Sequence, residues 1–137
     1  MKKSSLSIRR RNARRFALQA IYQWEISQNS PEEVILYVYQ ENDFSTADTS
    51  HFDKLFKMAI DHVRAIDKKI AQHLEIKLTD LNPVELAVLR LGVCELTYCP
   101  DIPPKVVINE AIELAKEYGS VEGYRFVNGV LDAMVRK

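Results

Sequence analysis

Between Asn82 and Pro100 the apolar residues Val84, Ala87, Val88, Leu91 and Val93 run almost all the way round a helix. A helix with no polar face has to be enclosed by its neighbours, so the chain must build its core around this segment. Asn82 as cap, Pro83 in the first turn and Glu85 completing the cap mark its start, Pro100 ends it, and Gly92 admits a close neighbour.

The other periodic segments are amphipathic and can supply the enclosure. Ala13, Phe16, Ala17, Ala20, Ile21 and Trp24 form the buried stripe of a helix over residues 8–28. Ser30, Pro31 and Glu33 open a short helix through Val34, Ile35 and Val38. Beyond a polar loop at 42–49, the set Phe52, Leu55, Phe56, Ala59, Ile60, Val63, Ile66, Ile70 and Leu74 predicts one long helix, straight or kinked, from about Ser50. Pro104 starts a helix whose Val107, Ile108, Ala111, Leu114, Ala115 and Tyr118 face inward, with Gly119 as a left-handed stop. Ser120 restarts the chain into a last helix carrying Val127, Val130, Leu131 and Met134. No segment alternates as a strand would. The expected fold class is all-α, with about six helices in a single domain over residues 1–137 and a seam near residues 75–82 between two helical halves.

At 137 residues the chain can close one core without disulfides or a structural metal. No stretch reaches the ~18 apolar residues of a membrane span and no signal-peptide core is evident, so a cytoplasmic protein with no membrane association is expected. Cys94 and Cys99 fit neither a CxxC redox pair nor a zinc half-site and are read as reduced and inert. Gly92, Gly119, Gly123 and Gly129 make no phosphate loop. His51, His62 and His73 recur on one helix face, but neighbours roughly 16 Å apart cannot share a metal ion, and the row is read as solvated. Glu110, Glu113 and Glu117 line one helix face with no base, nucleophile or pocket beside them, and solvation accounts for them too. No enzyme, metal or cofactor is expected.

The net charge is zero, from 19 Lys and Arg against 19 Asp and Glu, yet the signs are segregated. Residues 1–24 hold Lys2, Lys3, Arg9, Arg10, Arg11, Arg14 and Arg15 and no acid; the remainder has 12 basic against 19 acidic residues, a net of −7. A basic arm over residues 1–15 ahead of an acidic body fits a polyanion at one end and a basic partner elsewhere, or a solvated tail. Arg11, Arg15, Leu18 and Tyr22 share a second face of the first helix, so cations stand beside an aromatic ring. Single-stranded RNA is held by cations on its phosphates and by rings on which unpaired bases stack, and this face offers both. A membrane-surface helix would need Phe16 and Trp24 opposite the cations, but both belong to the buried stripe.

Three strings, RRRNARRFALQAIYQWEIS, PVELAVLRLGVCEL and VVINEAIELAKEYG with RFVNGVLD after it, occur in the order and spacing of the NusB family of bacterial transcription antitermination factors, which this chain resembles over nearly its whole length. The resemblance implies an all-helical fold of two packed three-helix halves and no catalytic activity. It implies pairing with NusE, a small-subunit ribosomal protein, and binding of single-stranded boxA RNA in nascent ribosomal RNA leaders. RNA polymerase and other Nus factors would complete the complex. Residue by residue, Arg10, Arg11 and Arg14 match the family's arginine-rich RNA motif and Tyr22 an aromatic position on the same surface, with Arg9 and Arg15 flanking them. Asn12 stands where the family often has another arginine, and Arg15 is an added cation. Phe126 matches a second aromatic near the RNA, or serves the core; Lys105, on a first helical turn, is a further RNA candidate. Glu85 matches an acidic position on the NusE-facing surface, and the acidic body suits a basic ribosomal partner. Asn109 and Asn128 are expected to satisfy buried backbone.

Two other roles compete: an accessory module of ribosomal RNA cytosine methyltransferases, expected only of a fragment since no such domain follows Lys137, and a purely protein-binding helical adaptor. The sequence leaves open whether the free protein is a monomer or a homodimer that masks its RNA face.

Overall fold

The computed structural model describes residues 5–136; Lys2 and Lys3 of the basic arm lie outside the described residues. Seven α-helices follow in chain order: α1 Leu6–Ser27, α2 Pro31–Glu41, α3 Thr49–Asp61, α4 Val63–Ala71, α5 Pro83–Tyr98, α6 Pro104–Tyr118 and α7 Gly123–Val135. Among the described residues there is no strand.

As the absence of a polar face requires, α5 is the central helix: every residue from Glu85 to Glu95 is buried, and α1, α3, α4, α6 and α7 all pack against it. The buried apolar residues form one cluster that runs from Ala13 to Leu131. At Gly92 an added Cβ would stand 3.0 Å from Leu131 Cδ1, which explains glycine there: α7 lies against the bare backbone. The linker at 72–82 is itself packed, with Leu74, Leu78 and Leu81 half-buried against the core and a 3-10 turn at Leu78–Asp80.

The helix starts follow the cap chemistry. Ser30 and Glu33 form the full reciprocal box, Ser30 Oγ accepting from the Glu33 amide and Glu33 Oε1 from the Ser30 amide. Asn82 Oδ1 accepts from the Val84 and Glu85 amides, so Asn82 alone caps α5 and Glu85 is released for another contact. Ser5 opens α1, its hydroxyl accepting from the Ile8 amide.

Three local expectations are corrected. The predicted long helix from Ser50 is two helices: His62 leaves helical geometry (φ −116°, ψ 21°) and its ring stacks on Tyr98 at 4.5 Å. Beyond this bend Ile66 and Ile70 are still buried, in a helix that packs on α5. Gly119 is extended (φ −91°, ψ −171°) rather than left-handed. It is glycine for want of space, since a Cβ would lie 2.7 Å from the Ala115 carbonyl oxygen. Among the described residues the left-handed one is Gln28, which ends α1 with φ 63°. The last helix begins at Gly123, not Ser120, because Ser120 is held by a side chain of α5.

A candidate nucleic-acid interface on α1

The arginines of α1 differ sharply in what they can do. Arg14 is a structural cation. Its side chain is 5% exposed and its Nε and Nη2 bond the Glu95 carboxylate of α5 at 2.9 and 2.7 Å. The same carboxylate takes His51 Nε2 at 2.9 Å, so α1, α3 and α5 meet at one buried charge network. Burial pushes the Glu95 carboxyl up, but hydrogen bonds and charge from His51 and Arg14 outweigh it and hold its pKa below the usual value. This corrects the reading of the histidine row as solvated: His51 is buried, while His73 is exposed.

Arg9 and Arg10 tie α1 to the loop ahead of α3. Arg9 Nη2 donates to the Ala47 carbonyl at 2.9 Å and Nη1 to that of Ser45 at 3.4 Å, while Arg10 Nε lies 3.5 Å from Asp48 Oδ2. Arg11 and Arg15 are the outward cations, and both meet α6. Arg11 pairs bidentately with Glu110, at 3.0 and 2.9 Å, and that hydrogen bond raises its pKa further above its ordinary value. Arg15 Nε donates to Glu117 Oε1 at 3.2 Å and Nη1 to Asn12 Oδ1 at 3.0 Å. The two departures from the family's arginine motif are thus partners: Asn12 orients the added Arg15, and its own amide donates to the Thr46 carbonyl at 3.0 Å. Glu110 and Glu117 are therefore not simply solvated, as the sequence reading held, but face α1.

Two grooves meet at Arg15. One, of about 310 Å³, is lined by Arg11, Arg14, Glu110 and Glu117. The other, of about 530 Å³ and mainly apolar, is lined by Phe16, Leu18, Gln19, Tyr22, Asn42 and Tyr118. Tyr22 is half-buried at its wall, whereas Leu18, expected on the outer face, is 4% exposed. Tyr118, expected in the inward stripe of α6, is instead 47% exposed on the rim.

The other candidates lie elsewhere. Phe126 is half-buried and lines a separate groove of about 400 Å³ with His73, Ile76 and Gly129. Lys105 is exposed on the first turn of α6. Glu85 is 7% exposed, and Oε2 accepts the Ser120 amide at 2.9 Å and the Ser120 hydroxyl at 2.6 Å. Its carboxylate pins the turn between α6 and α7 rather than completing the α5 cap. Asn109 and Asn128, expected to satisfy buried backbone, are exposed. Glu95 carried a legible signal: a carboxylate on a helix buried along its length needs a cationic partner, and Arg14 is that partner. Both cysteines are free and buried, and burial pushes the Cys94 thiol up to about 12. Among the described residues no group of three His, Cys, Asp or Glu is placed to hold a metal ion, and no helix is long and apolar enough to cross a membrane.

A central apolar helix inside an all-helical shell, with an arginine-bearing helix set beside an aromatic groove, defines the architectural class. The NusB family model matches residues 11–136, and the chain belongs to the NusB family. It is 49% identical over 125 residues to the transcription antitermination protein NusB of Histophilus somni strain 2336, covering 90% of this chain and 87% of that protein. The corresponding protein of Coxiella burnetii strain RSA 493 is 45% identical over 125 residues, covering 91% of each. Among solved structures, NusB of T. maritima superposes with a TM-score of 0.82 at 31% identity over 97% of this chain and 92% of that one. A complex of antitermination factors NusB and NusE with dsRNA matches with a TM-score of 0.80 at 32% identity, covering 90% of this chain and 93% of that one.

Proposed function

We propose that this chain is a non-catalytic transcription antitermination factor that pairs with a NusE-type ribosomal protein and holds boxA-type single-stranded RNA along the outer face of α1. In this reading the pair joins RNA polymerase and other Nus factors and prevents premature termination of ribosomal RNA transcripts. The observation that carries it is the position of Arg15, shared by a groove containing Arg11 and Arg14 and a groove walled by Tyr22 and Tyr118. Phosphate and unpaired base are adjacent along a strand, and here cation and ring are adjacent along the protein surface.

Within this reading the arginines have separate duties. Arg11 and Arg15 meet phosphate, Arg9 and Arg10 hold the α1 to α3 corner and add positive potential, and Arg14 sets the position of α1 from below. Tyr22 receives a base at the groove wall. Lys105 and Phe126 extend the path outside the central grooves. Glu85 supports the NusE-facing surface by fixing the turn at Ser120, and the acidic body attracts the basic partner.

The test is fluorescence anisotropy of a labelled boxA-type RNA titrated with this protein, alone and with its cognate NusE, beside a scrambled strand and a duplex of the same sequence. Sequence-dependent binding to the single strand that tightens with NusE is expected. Equal binding to all three RNAs with and without NusE would refute the reading, and complete absence of RNA binding would favour a protein-only adaptor.

A further inference from the structure

Glu110 and Glu117 are spaced seven residues apart on α6 and meet Arg11 and Arg15, four apart on α1. The geometry at Glu110 is that of a bound anion: two oxygens receive the Nε and Nη2 donors of one guanidinium, as a phosphate's would. Glu110 Oε1 also lies 3.6 Å from Arg14 Nη1, so one carboxylate faces two arginines. Neither carboxylate is needed to satisfy a buried charge on its own helix. The Arg15–Glu117 pair is open to solvent, at 35% and 43% exposed, whereas the Arg11–Glu110 pair is open on the arginine side, at 50% against 14% for the carboxylate.

We infer that the α6 carboxylates Glu110 and Glu117 are internal stand-ins for RNA phosphate, which an incoming strand must displace from Arg11 and Arg15. This rests on the proposed role of the α1 face and adds to it a residue pair that limits affinity. The pairs keep the guanidinium groups ordered and aimed outward, so less side-chain freedom is lost when phosphate arrives. They also lower the positive potential that stray polyanions would meet. Glu117 is the cleaner of the two to test, since Glu110 is only 14% exposed and touches Arg14.

The experiment measures RNA affinity of the full chain by anisotropy at several salt concentrations for wild type, E117Q, R15Q and E117Q/R15Q. E32Q, which makes the same charge change on the first turn of α2, serves as the control. E117Q is expected to tighten RNA binding about two- to fivefold at low salt, the scale of an exposed ion pair, and E32Q less. The gain should fade as salt screens the pair, so the slope of log K against log salt steepens, by at most about 0.7. On the R15Q background the gain from E117Q should be at least halved, because its partner is gone. An equal gain with and without Arg15, or no gain beyond that of E32Q, overturns the inference while leaving the RNA role intact. Failure of the wild type itself to bind any RNA refutes the role on which the inference rests.

Discussion

Replacing Glu95 with Gln keeps the shape of the side chain and removes one charge from the buried junction of α1, α3 and α5. In the native protein that carboxylate is 2% exposed and receives Arg14 at 2.7 and 2.9 Å and His51 at 2.9 Å. After substitution the Arg14 cation, 5% exposed, keeps only Glu110, at 3.6 Å, as an anionic partner. Breaking one side of a buried pair costs about 3–5 kcal/mol, because the remaining charge stays desolvated. At about 2–4 °C per kcal/mol for a domain near this size, the melting temperature should fall by roughly 6–20 °C. The pH dependence carries a second signature. The native Glu95 pKa lies below its unfolded value, so its stabilisation is fully present above the unfolded value and is lost as pH falls through the native one. Thermal melts between pH 7 and pH 3 should therefore show a steep acid limb in wild type and a shallower one in E95Q. A melting temperature within about 2 °C of wild type, with an unchanged acid limb, would refute the buried network as a source of stability.

Three further substitutions or treatments probe single contacts. At Gly123 an added Cβ runs into the Glu85 carboxylate, so G123A should displace it from Ser120 and cost about 1–3 kcal/mol in urea unfolding, whereas an unchanged midpoint would mean the turn is not held by Glu85. Gly129 lies mid-helix with nothing within 4 Å of an added Cβ, so G129A should stabilise the free protein by about 0.5–1 kcal/mol; a loss would reveal a contact this structure lacks. Cys94 and Cys99 should resist alkylation by iodoacetamide at pH 8 in the folded protein and react in denaturant, and rapid labelling of Cys94 in the native state would contradict its buried, raised-pKa thiol.

The helices were legible because their signals are local. Apolar spacing placed α1, α2, α5 and α6, and cap residues such as Ser30 and Asn82 fixed two starts to the residue. The break at His62 could be placed only from the structure, because the apolar period continues through it and the stacking partner Tyr98 lies on another helix. The site was legible only as composition. That arginines and a tyrosine share α1 follows from spacing; that Arg14 turns inward to Glu95, 81 residues away, while Arg11 meets Glu110, 99 residues away, depends on how the helices are packed. Charge segregation located the basic helix but treated its five arginines alike. The rule that buried charges need partners, applied to Glu95 within α5, calls for a buried cation, but only the packing of α1 against α5 makes that cation Arg14.

RNA binding by this protein rests on Arg11 and on Arg15, the cation that joins the Arg11 groove to the Tyr22 groove. Its most direct test is boxA-type RNA affinity of the R11Q/R15Q variant, measured by anisotropy alongside a thermal melt. Roughly tenfold weaker binding with a shallower salt slope is expected, with a melting temperature close to wild type, since both arginines reach solvent and Glu110 keeps Arg14 beside it. Wild-type affinity in that folded variant would contradict it.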